Sequence, residues 1–299
     1  MYDIARNTGA YLIGQLGVDR TPVAVFAGRK MVTPAYFLGV VYAGRPYAPI
    51  DASLPDKRIE KILENLCPRA IVADRESLEH VERIVDELAK AEGFDRPQIF
   101  IAEDISSFEQ VACADSNCKI SESAGDAVTD SENDMLATVR RQMSMTDPLY
   151  IIYTSGSTGN PKGVMTSHLS LMTYINAYCD VMHIEESDVL GNQSPLDYIA
   201  AIRDIYLPLK TGCSTAIIPK EYFMEPNALF DYMNDKKVSS VGWSVSAFTI
   251  LTSLGAFEEV GLKSLRKICF SGSVMPCRVL RKWQENLPEA HFVNQYGPT

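Results

Sequence analysis

The sequence lacks an excess of basic residues and any long apolar run. Its 28 Lys and Arg residues are outnumbered by 38 Asp and Glu residues, and the net charge is −10. This balance argues against a nucleic-acid-binding surface, because such a surface needs a basic patch. No stretch reaches the roughly 18 consecutive apolar residues that a membrane-spanning helix needs. We therefore expect neither a nucleic acid nor a membrane among its partners.

Signals for secretion and for a structural metal are also missing. The opening segment Met1–Ala10 carries Asp3 and Arg6 and no long apolar run, unlike a signal peptide. The 7 cysteines are scattered, and the close pair Cys113 and Cys118 has no second pair or histidine nearby, which argues against zinc. Free thiols in a reducing compartment are the simpler interpretation. We expect a cytoplasmic protein whose own side chains form no metal site.

Short apolar segments alternate with amphipathic ones along most of the chain. Ala70–Ala73 and His291–Asn294 have the character of buried strands, while Asp56–Leu66 and Cys277–Asn286 have helical spacing. This alternation predicts an α/β fold of layered, largely parallel sheets flanked by helices, with ligands at the carboxyl ends of the strands. Residues 103–146 lose the periodicity and are rich in Ser, Asp, Glu and Asn, which predicts a flexible insertion.

One loop has a distinctive chemistry. The apolar run Leu149–Tyr153 leads into Thr154–Asn160, which contains only Thr, Ser, Gly and Asn, and Lys162 follows. Glycines let the backbone approach a ligand, hydroxyls and backbone amides donate hydrogen bonds, and the lysine adds a mobile charge. A polyphosphate is the natural ligand of such a loop. The patterns GxxxxGK[ST] and GxGxxG are both absent, so this is not one of the common nucleotide-binding loops.

The segment YTSGSTGNPKGV, within residues 153–164, resembles the phosphate-binding loop of the adenylate-forming, or AMP-binding, enzymes. AGRPYAPIDASLP, LRKICFSGSVMP and FVNQYGPT resemble further segments of that superfamily. The stretch DIYLPLKTG favours two of its branches, the amino-acid adenylation domains of peptide synthetases and the D-alanine–carrier-protein ligases. The resemblance implies that residues 1–299 are part of an adenylation domain with the fold of the large N-terminal domain of these enzymes.

The resemblance also implies a reaction. A carboxylic acid, expected to be a small amino acid, is activated by ATP as its acyl-adenylate, pyrophosphate leaves, and the acyl group passes to a carrier-protein thiol. ATP and Mg²⁺ are the implied cofactors, because the charge of the leaving group must be screened. Catalysis then consists mostly of positioning and charge neutralisation.

By this resemblance the nucleotide-binding residues lie in three segments that each follow a predicted strand. They are Thr154, Ser155, Gly156, Ser157, Thr158 and Gly159 in the loop, Gly272 and Ser273, and Asn294, Tyr296 and Gly297. The Asn294 amide is expected at an adenine edge, and the Tyr296 ring is expected to stack on the base, which is worth about 1–3 kcal/mol. Lys162 and Thr299 are the implied catalytic residues, Lys162 at the leaving pyrophosphate and Thr299 at the α-phosphate.

The implied substrate pocket departs from the amino-acid-activating pattern. Its residues are Asp197, Tyr198, Ile199, Arg203, Trp243 and Ser271. In amino-acid-activating relatives an Asp pairs with the α-ammonium of the substrate, but the ungapped register puts Ile199 there, with Asp197 two residues earlier. Either a local rearrangement brings Asp197 to the ammonium or the substrate has none, because an unpaired buried ammonium is costly.

Two other pocket positions bear on the identity of the acid. Arg203 on a pocket wall suits an acidic group on the substrate, and its alternative is an arginine that faces solvent on a helix. Trp243 on another wall would shorten the pocket. Together they indicate a small or polar acid.

The family pattern continues beyond Thr299 with an acidic residue, a hinge and a small C-terminal domain that carries a catalytic lysine. We therefore expect this sequence to be an N-terminal fragment without that domain. Two alternatives stay open. Ile199 favours an acyl- or aryl-CoA synthetase, with CoA as the acceptor. The residues that would follow Thr299 are needed for catalysis, and their absence favours a catalytically incomplete nucleotide-binding remnant.

Overall fold

The computed structural model describes residues 1–107, 130–155 and 159–297. The chain divides into two compact units, Met1–Leu169 and Ser170–Thr299. Each unit contains its own sheet, and both sheets are mainly parallel and accompanied by helices, as the alternating pattern predicts. Among the described residues, no helix combines the length and the apolar character that crossing a membrane requires.

The sheet of the first unit has six strands. They are β1 (Val23–Phe26), β2 (Tyr47–Pro49), β3 (Ala70–Ala73), β4 (Gln98–Ile101), β5 (Pro148–Ser155) and β6 (Pro161–Ser167). Their order is β4-β3-β1-β2-β5-β6. All neighbours are parallel except β5 and β6, which form an antiparallel hairpin. The carboxyl end of β5, where the predicted phosphate loop begins, therefore lies at the same edge as the carboxyl ends of β1 to β4.

The helices of this unit pack on the sheet through apolar stripes. In the described ranges they are α1 (Tyr2–Leu16), α2 (Thr33–Tyr42), α3 (Asp56–Leu66), α4 (Leu78–Leu88), α5 (Ala102–Ser106) and α6 (Asp130–Gln142). In α3 the buried residues Ile59, Ile62, Leu63 and Leu66 recur at helical spacing and join a core with residues of β1 and β3. The helix ends at Cys67, whose φ of 46° cannot continue it.

The sheet of the second unit has five strands. They are β7 (Val189–Asn192), β8 (Ser214–Ile217), β9 (Ser240–Ser244), β10 (Lys267–Ser271) and β11 (His291–Asn294). Their order is β11-β10-β9-β7-β8, and every pair is parallel. The carboxyl ends of all five strands consequently meet at one edge, and the segments after them converge there.

Helices connect these strands. They are α7 (His168–Met182), which begins just before the division between the units, α8 (Ile202–Thr211), α9 (Pro226–Asp235), α10 (Val245–Ser253) and α11 (Cys277–Asn286). Short 3₁₀ helices cover Ile199–Ala201 and Lys220–Met224. An aromatic core that includes Phe230, Phe248 and Trp283 fills the space between the sheet and α9, α10 and α11.

The structure differs from the sequence-based expectation in two places. The segment that follows the phosphate loop is a strand, β6, which no prediction included. Two helices, α5 and α6, lie at the ends of the predicted insertion 103–146, so the expectation of irregular structure is wrong there. Residues 108–129, in the middle of that stretch, lie outside the described residues.

Candidate functional site

The β5–β6 hairpin carries the predicted phosphate loop at its tip. Thr154 and Lys162 are directly opposite each other in the antiparallel register, and the backbone of Ser155 ends β5. Gly159 has a φ of 79°, a conformation that suits glycine. Three predicted loop residues, Gly156, Ser157 and Thr158, lie outside the described residues. The loop therefore joins two paired antiparallel strands, and Lys162 is held on regular backbone.

The Lys162 side chain is exposed. Within the described ranges no carboxylate lies within ion-pair distance of its ammonium group. The Thr154 hydroxyl is 3.5 Å from the carbonyl oxygen of Lys162, a weak contact across the hairpin. An exposed ammonium group with no protein counter-charge can meet an anionic ligand without first breaking an ion pair.

Helix α3 holds the loop end of the hairpin through two side-chain hydrogen bonds. The Tyr153 hydroxyl donates to Asn65 Oδ1 at 2.8 Å, and Lys61 Nζ donates to Asn160 Oδ1 at 2.9 Å. The Tyr153 ring also lies over Gly163, where an added Cβ would come within 3.0 Å of ring carbon Cζ. Burial raises the pKa of Tyr153 to about 12, so its hydroxyl stays protonated and able to donate. Sequence reasoning missed both α3 residues, which are ordinary surface residues of an amphipathic helix.

The other predicted nucleotide-binding residues follow two neighbouring strands of the second unit. Gly272 and Ser273 follow β10, and Gly272 has a φ of 96°. Asn294 ends β11 and is followed by Tyr296 and Gly297. The Tyr296 ring is 96% exposed, so its whole face is open to solvent. Thr299 lies outside the described residues.

The predicted substrate-pocket residues after β7 also lie at this edge. Asp197 is half-buried and Tyr198 is exposed, and both lie in the connection between β7 and the 3₁₀ helix that Ile199 begins. Ser271 ends β10 and is half-buried. The strand order therefore places the neighbourhoods of Ile199 and Ser271 at the carboxyl edge of one sheet.

Arg203, in the first turn of α8, is buried, and the alternative of a solvent-facing arginine is wrong. Its side chain is 4% exposed. Its Nε lies 3.4 Å from Asp204 Oδ1, close enough for an ion pair but without the geometry of a hydrogen bond. Burial opposes the charged form, but the Asp204 carboxylate outweighs it, so the pKa of Arg203 lies above its ordinary value.

Trp243 belongs to the core, so its predicted place on another wall of the pocket is wrong. Its ring is 1% exposed and packs edge-on against Phe223 and Trp283. Its Nε1 donates to the carbonyl oxygen of Gly191 at 2.8 Å. Successive residues of a strand point to opposite faces, and Arg203 lies on the face of Gly242, so the Trp243 side chain is on the other side of the sheet.

The structure adds a cavity that sequence reasoning did not find. It has a volume of about 320 Å³ and lies along α7, β10 and β11, with Tyr174, Tyr178, Cys269 and Gln295 among its lining residues. The Gln295 amide donates to the Tyr174 hydroxyl at 3.3 Å and accepts from the Cys269 thiol at 3.4 Å. Burial raises the pKa of the Cys269 thiol, so it stays protonated near neutral pH. Asn294 and Tyr296, which the sequence assigned to the nucleotide, also line this cavity, whereas Tyr174, Tyr178 and Cys269 carried no sequence signal.

The described residues do not supply a metal centre. No group of three or more His, Cys, Asp or Glu side chains within those ranges is placed to hold a metal ion. Mg²⁺ consequently stays a prediction that the resemblance makes, and no described side chain is assigned to it.

Comparison with known proteins gives one family. The sequence profile described as AMP-binding enzyme matches residues 1–299. D-alanine–D-alanyl carrier protein ligases of Bacillus anthracis and Bacillus cereus are 29% identical to this chain over 282 residues. That match covers 94% of this chain and 49% of each relative. The chain thus spans about half the length of the curated relatives that it matches.

Similar solved structures support the same fold. A four-domain nonribosomal peptide synthetase bound to AMP and glycine matches 99% of this chain and 19% of its own, with a TM-score of 0.73 and 20% identity. VinN with L-aspartate matches 100% of this chain and 68% of its own, with a TM-score of 0.74 and 18% identity. The N-terminal domain of FACL13 from Mycobacterium tuberculosis reaches 0.75 at 18% identity, over 99% of this chain and 67% of its own.

Proposed function

The chain belongs to the AMP-binding enzyme family, and on that basis we propose that it contributes the nucleotide site and the acid site of an AMP-forming ligase. The proposed reaction activates a small amino acid. A carboxylate oxygen of the acid attacks the α-phosphorus of ATP, the bond from that phosphorus to the bridging oxygen breaks, and pyrophosphate leaves with the electron pair. The product is the acyl-adenylate. The sulfur of a carrier-protein thiol then attacks its carbonyl carbon and loses its proton, a thioester forms, and AMP leaves with the electron pair of the broken carbon–oxygen bond.

The observation that carries this proposal is the exposure of the Lys162 ammonium group and its lack of a carboxylate partner among the described residues. Its ammonium group is exposed, it faces Thr154 across a regular hairpin, and no carboxylate of the described residues pairs with it. We assign it to the leaving pyrophosphate, where a preorganised positive charge lowers the barrier because negative charge develops there in the transition state. Thr154, Ser155 and Gly159, with Gly156, Ser157 and Thr158, would surround the β- and γ-phosphates.

The base and the α-phosphate are assigned to the second unit. Asn294 and Tyr296 leave the carboxyl end of β11 next to Gly272 and Ser273 after β10. An open aromatic face beside an amide suits an adenine ring, which stacks on one and hydrogen-bonds to the other. Thr299 is assigned to the α-phosphate by the family motif. The carboxyl edge of a parallel sheet is where α/β proteins commonly bind such ligands, which supports the assignment.

The test is ATP–pyrophosphate exchange on the full-length protein that contains this sequence, screened over amino acids and over plain carboxylic acids. Lys162→Ala is expected to lower the exchange rate about 100-fold, as the loss of one transition-state charge contact does. Its thermal unfolding midpoint should not change, because the side chain is exposed. The matched control Lys90→Ala removes an exposed lysine that lies two residues after the end of α4, and it should leave exchange unaltered.

The outcomes separate the alternatives. Exchange that depends on amino acids supports the proposal, whereas exchange with plain acids alone favours an acyl- or aryl-CoA synthetase. A protein that supports no exchange with any acid is a nucleotide-binding remnant. If Lys162→Ala exchanges at the rate of the unaltered protein, the assignment of Lys162 to pyrophosphate is wrong.

A further inference from the structure

The buried guanidinium of Arg203 is incompletely paired. The one ion pair that involves it within the described residues is with Asp204, its neighbour in sequence, and Nε has no hydrogen-bond partner there. The other carboxylate oxygen of Asp204 accepts from Asn192 Nδ2 at 2.8 Å. A buried charge is costly unless its hydrogen bonds are satisfied. This arginine therefore keeps donor capacity in a place where an unused donor is expensive.

The sheet leaves room for this guanidinium. It lies against Gly242 of β9, where an added Cβ would be 2.6 Å from Nη2 and closer still to Nε and Cζ. Gly242, Cys269 and Val293 are partners in the register of β9, β10 and β11, so they lie in one row on the same face. Any residue larger than glycine at position 242 would occupy the space of the guanidinium.

The row that contacts the guanidinium at Gly242 continues through Cys269 and Val293, which line the cavity. Arg203 Cζ lies 5.9 Å from the centroid of the Tyr178 ring, and its charge acts on the Cys269 thiol. Tyr178, Cys269 and Val293 all line the cavity of about 320 Å³, together with Asn294 and Gln295. Arg203 itself does not line the cavity, but its neighbours Tyr178 and Cys269 do. The cavity therefore reaches from Asn294, the residue assigned to adenine, to two side chains that lie beside the guanidinium.

We propose that Arg203 binds a second anionic group of the substrate, so that the acid activated here is a dicarboxylic acid or an acidic amino acid. This inference rests on the proposed function, because it names the acid that the ligase takes. The planar fork of a guanidinium matches a carboxylate in a bidentate pair, and such a pair is stronger where water is excluded. The carboxylate that reacts with ATP is the other one.

The experiment compares acids with their neutral isosteres on the full-length protein. L-Aspartate is paired with L-asparagine, and L-glutamate with L-glutamine, while malonate and succinate test whether the α-ammonium is needed. We expect kcat/KM for exchange to favour the acid over its amide by about 100-fold. Arg203→Met should remove that preference, with an unchanged KM for ATP, and Arg203→Lys should retain part of it. Arg281→Met, which removes an exposed arginine of α11, is the control.

Several results would overturn the inference. The amides could serve as well as the acids, or Arg203→Met could lower exchange equally for both, which is what a purely structural ion pair with Asp204 predicts. Calorimetric binding of the same acids without ATP separates the two proposals. If the acids bind to the unaltered protein and not to Arg203→Met, yet no acid supports exchange, the anion site stands and the proposed ligase activity fails. If no acidic probe binds, the inference is wrong.

Discussion

Each unit carries one cation to which we assign a ligand, and the surroundings of these two cations differ. Lys162 is exposed, lies in a contiguous motif and has no carboxylate partner among the described residues. Arg203 is buried, and its surroundings come from α7, α8, β7, β9 and β10. A mobile point charge in water suits a polyphosphate that must arrive and leave, whereas a rigid desolvated fork suits the recognition of one small anion. Exposure thus separates the two proposed roles, charge neutralisation for Lys162 and substrate selectivity for Arg203.

The largest effect on stability is expected when Asp204, the ion-pair partner of the buried Arg203, is removed. Asp204→Ala leaves the Arg203 guanidinium buried without its counter-charge, and we expect a loss of about 3–5 kcal/mol in the free energy of unfolding. Urea denaturation of the full-length protein measures it. Asp235→Ala, which breaks the exposed pair with Lys236, should cost less than about 1 kcal/mol. Equal losses for the two variants would remove the distinction between buried and exposed ion pairs.

An intermediate effect on stability is expected at Gly242, where the absence of a side chain leaves space for the Arg203 guanidinium. Gly242→Ala forces Arg203 to shift, and overpacking of this kind costs about 1–3 kcal/mol. Because the clash is with one side chain, the double variant with Arg203→Met should be less destabilised than the sum of the single variants. Gly261→Ala is the control, since an added Cβ there meets nothing within 4 Å. Strict additivity would contradict the proposed contact.

The smallest effect on stability is expected for the contact by which α3 positions the hairpin that carries Lys162. Asn65→Ala removes the acceptor of the Tyr153 hydroxyl and should cost about 0.5–1.5 kcal/mol in the free energy of unfolding. We expect KM for ATP to rise a few-fold with kcat nearly constant, since the reacting groups are untouched. Asn65→Asp keeps an acceptor and should restore KM. A change in kcat alone would mean that α3 does not position the loop for binding.

The elements predicted with the right bounds are those whose pattern is local. The bounds of α3, β3, α11 and β11 agree with the sequence residue by residue, because an amphipathic stripe or a buried apolar run is visible without its neighbours. β6 was missed because Pro161–Ser167 has little apolar alternation and forms a strand by pairing with β5. α6 was missed because its sequence is rich in charged and polar residues.

The sequence by itself determined the family and the alternating architecture, and it predicted the phosphate loop, because those signals are carried by contiguous residues. Tertiary structure decided the rest. It buried Arg203 against Gly242, 39 positions away in the chain, turned Trp243 to the opposite face, and brought Tyr178 and Cys269 to one cavity. Strand order and register fix which side chains meet on a sheet face, and neither can be read from a single segment.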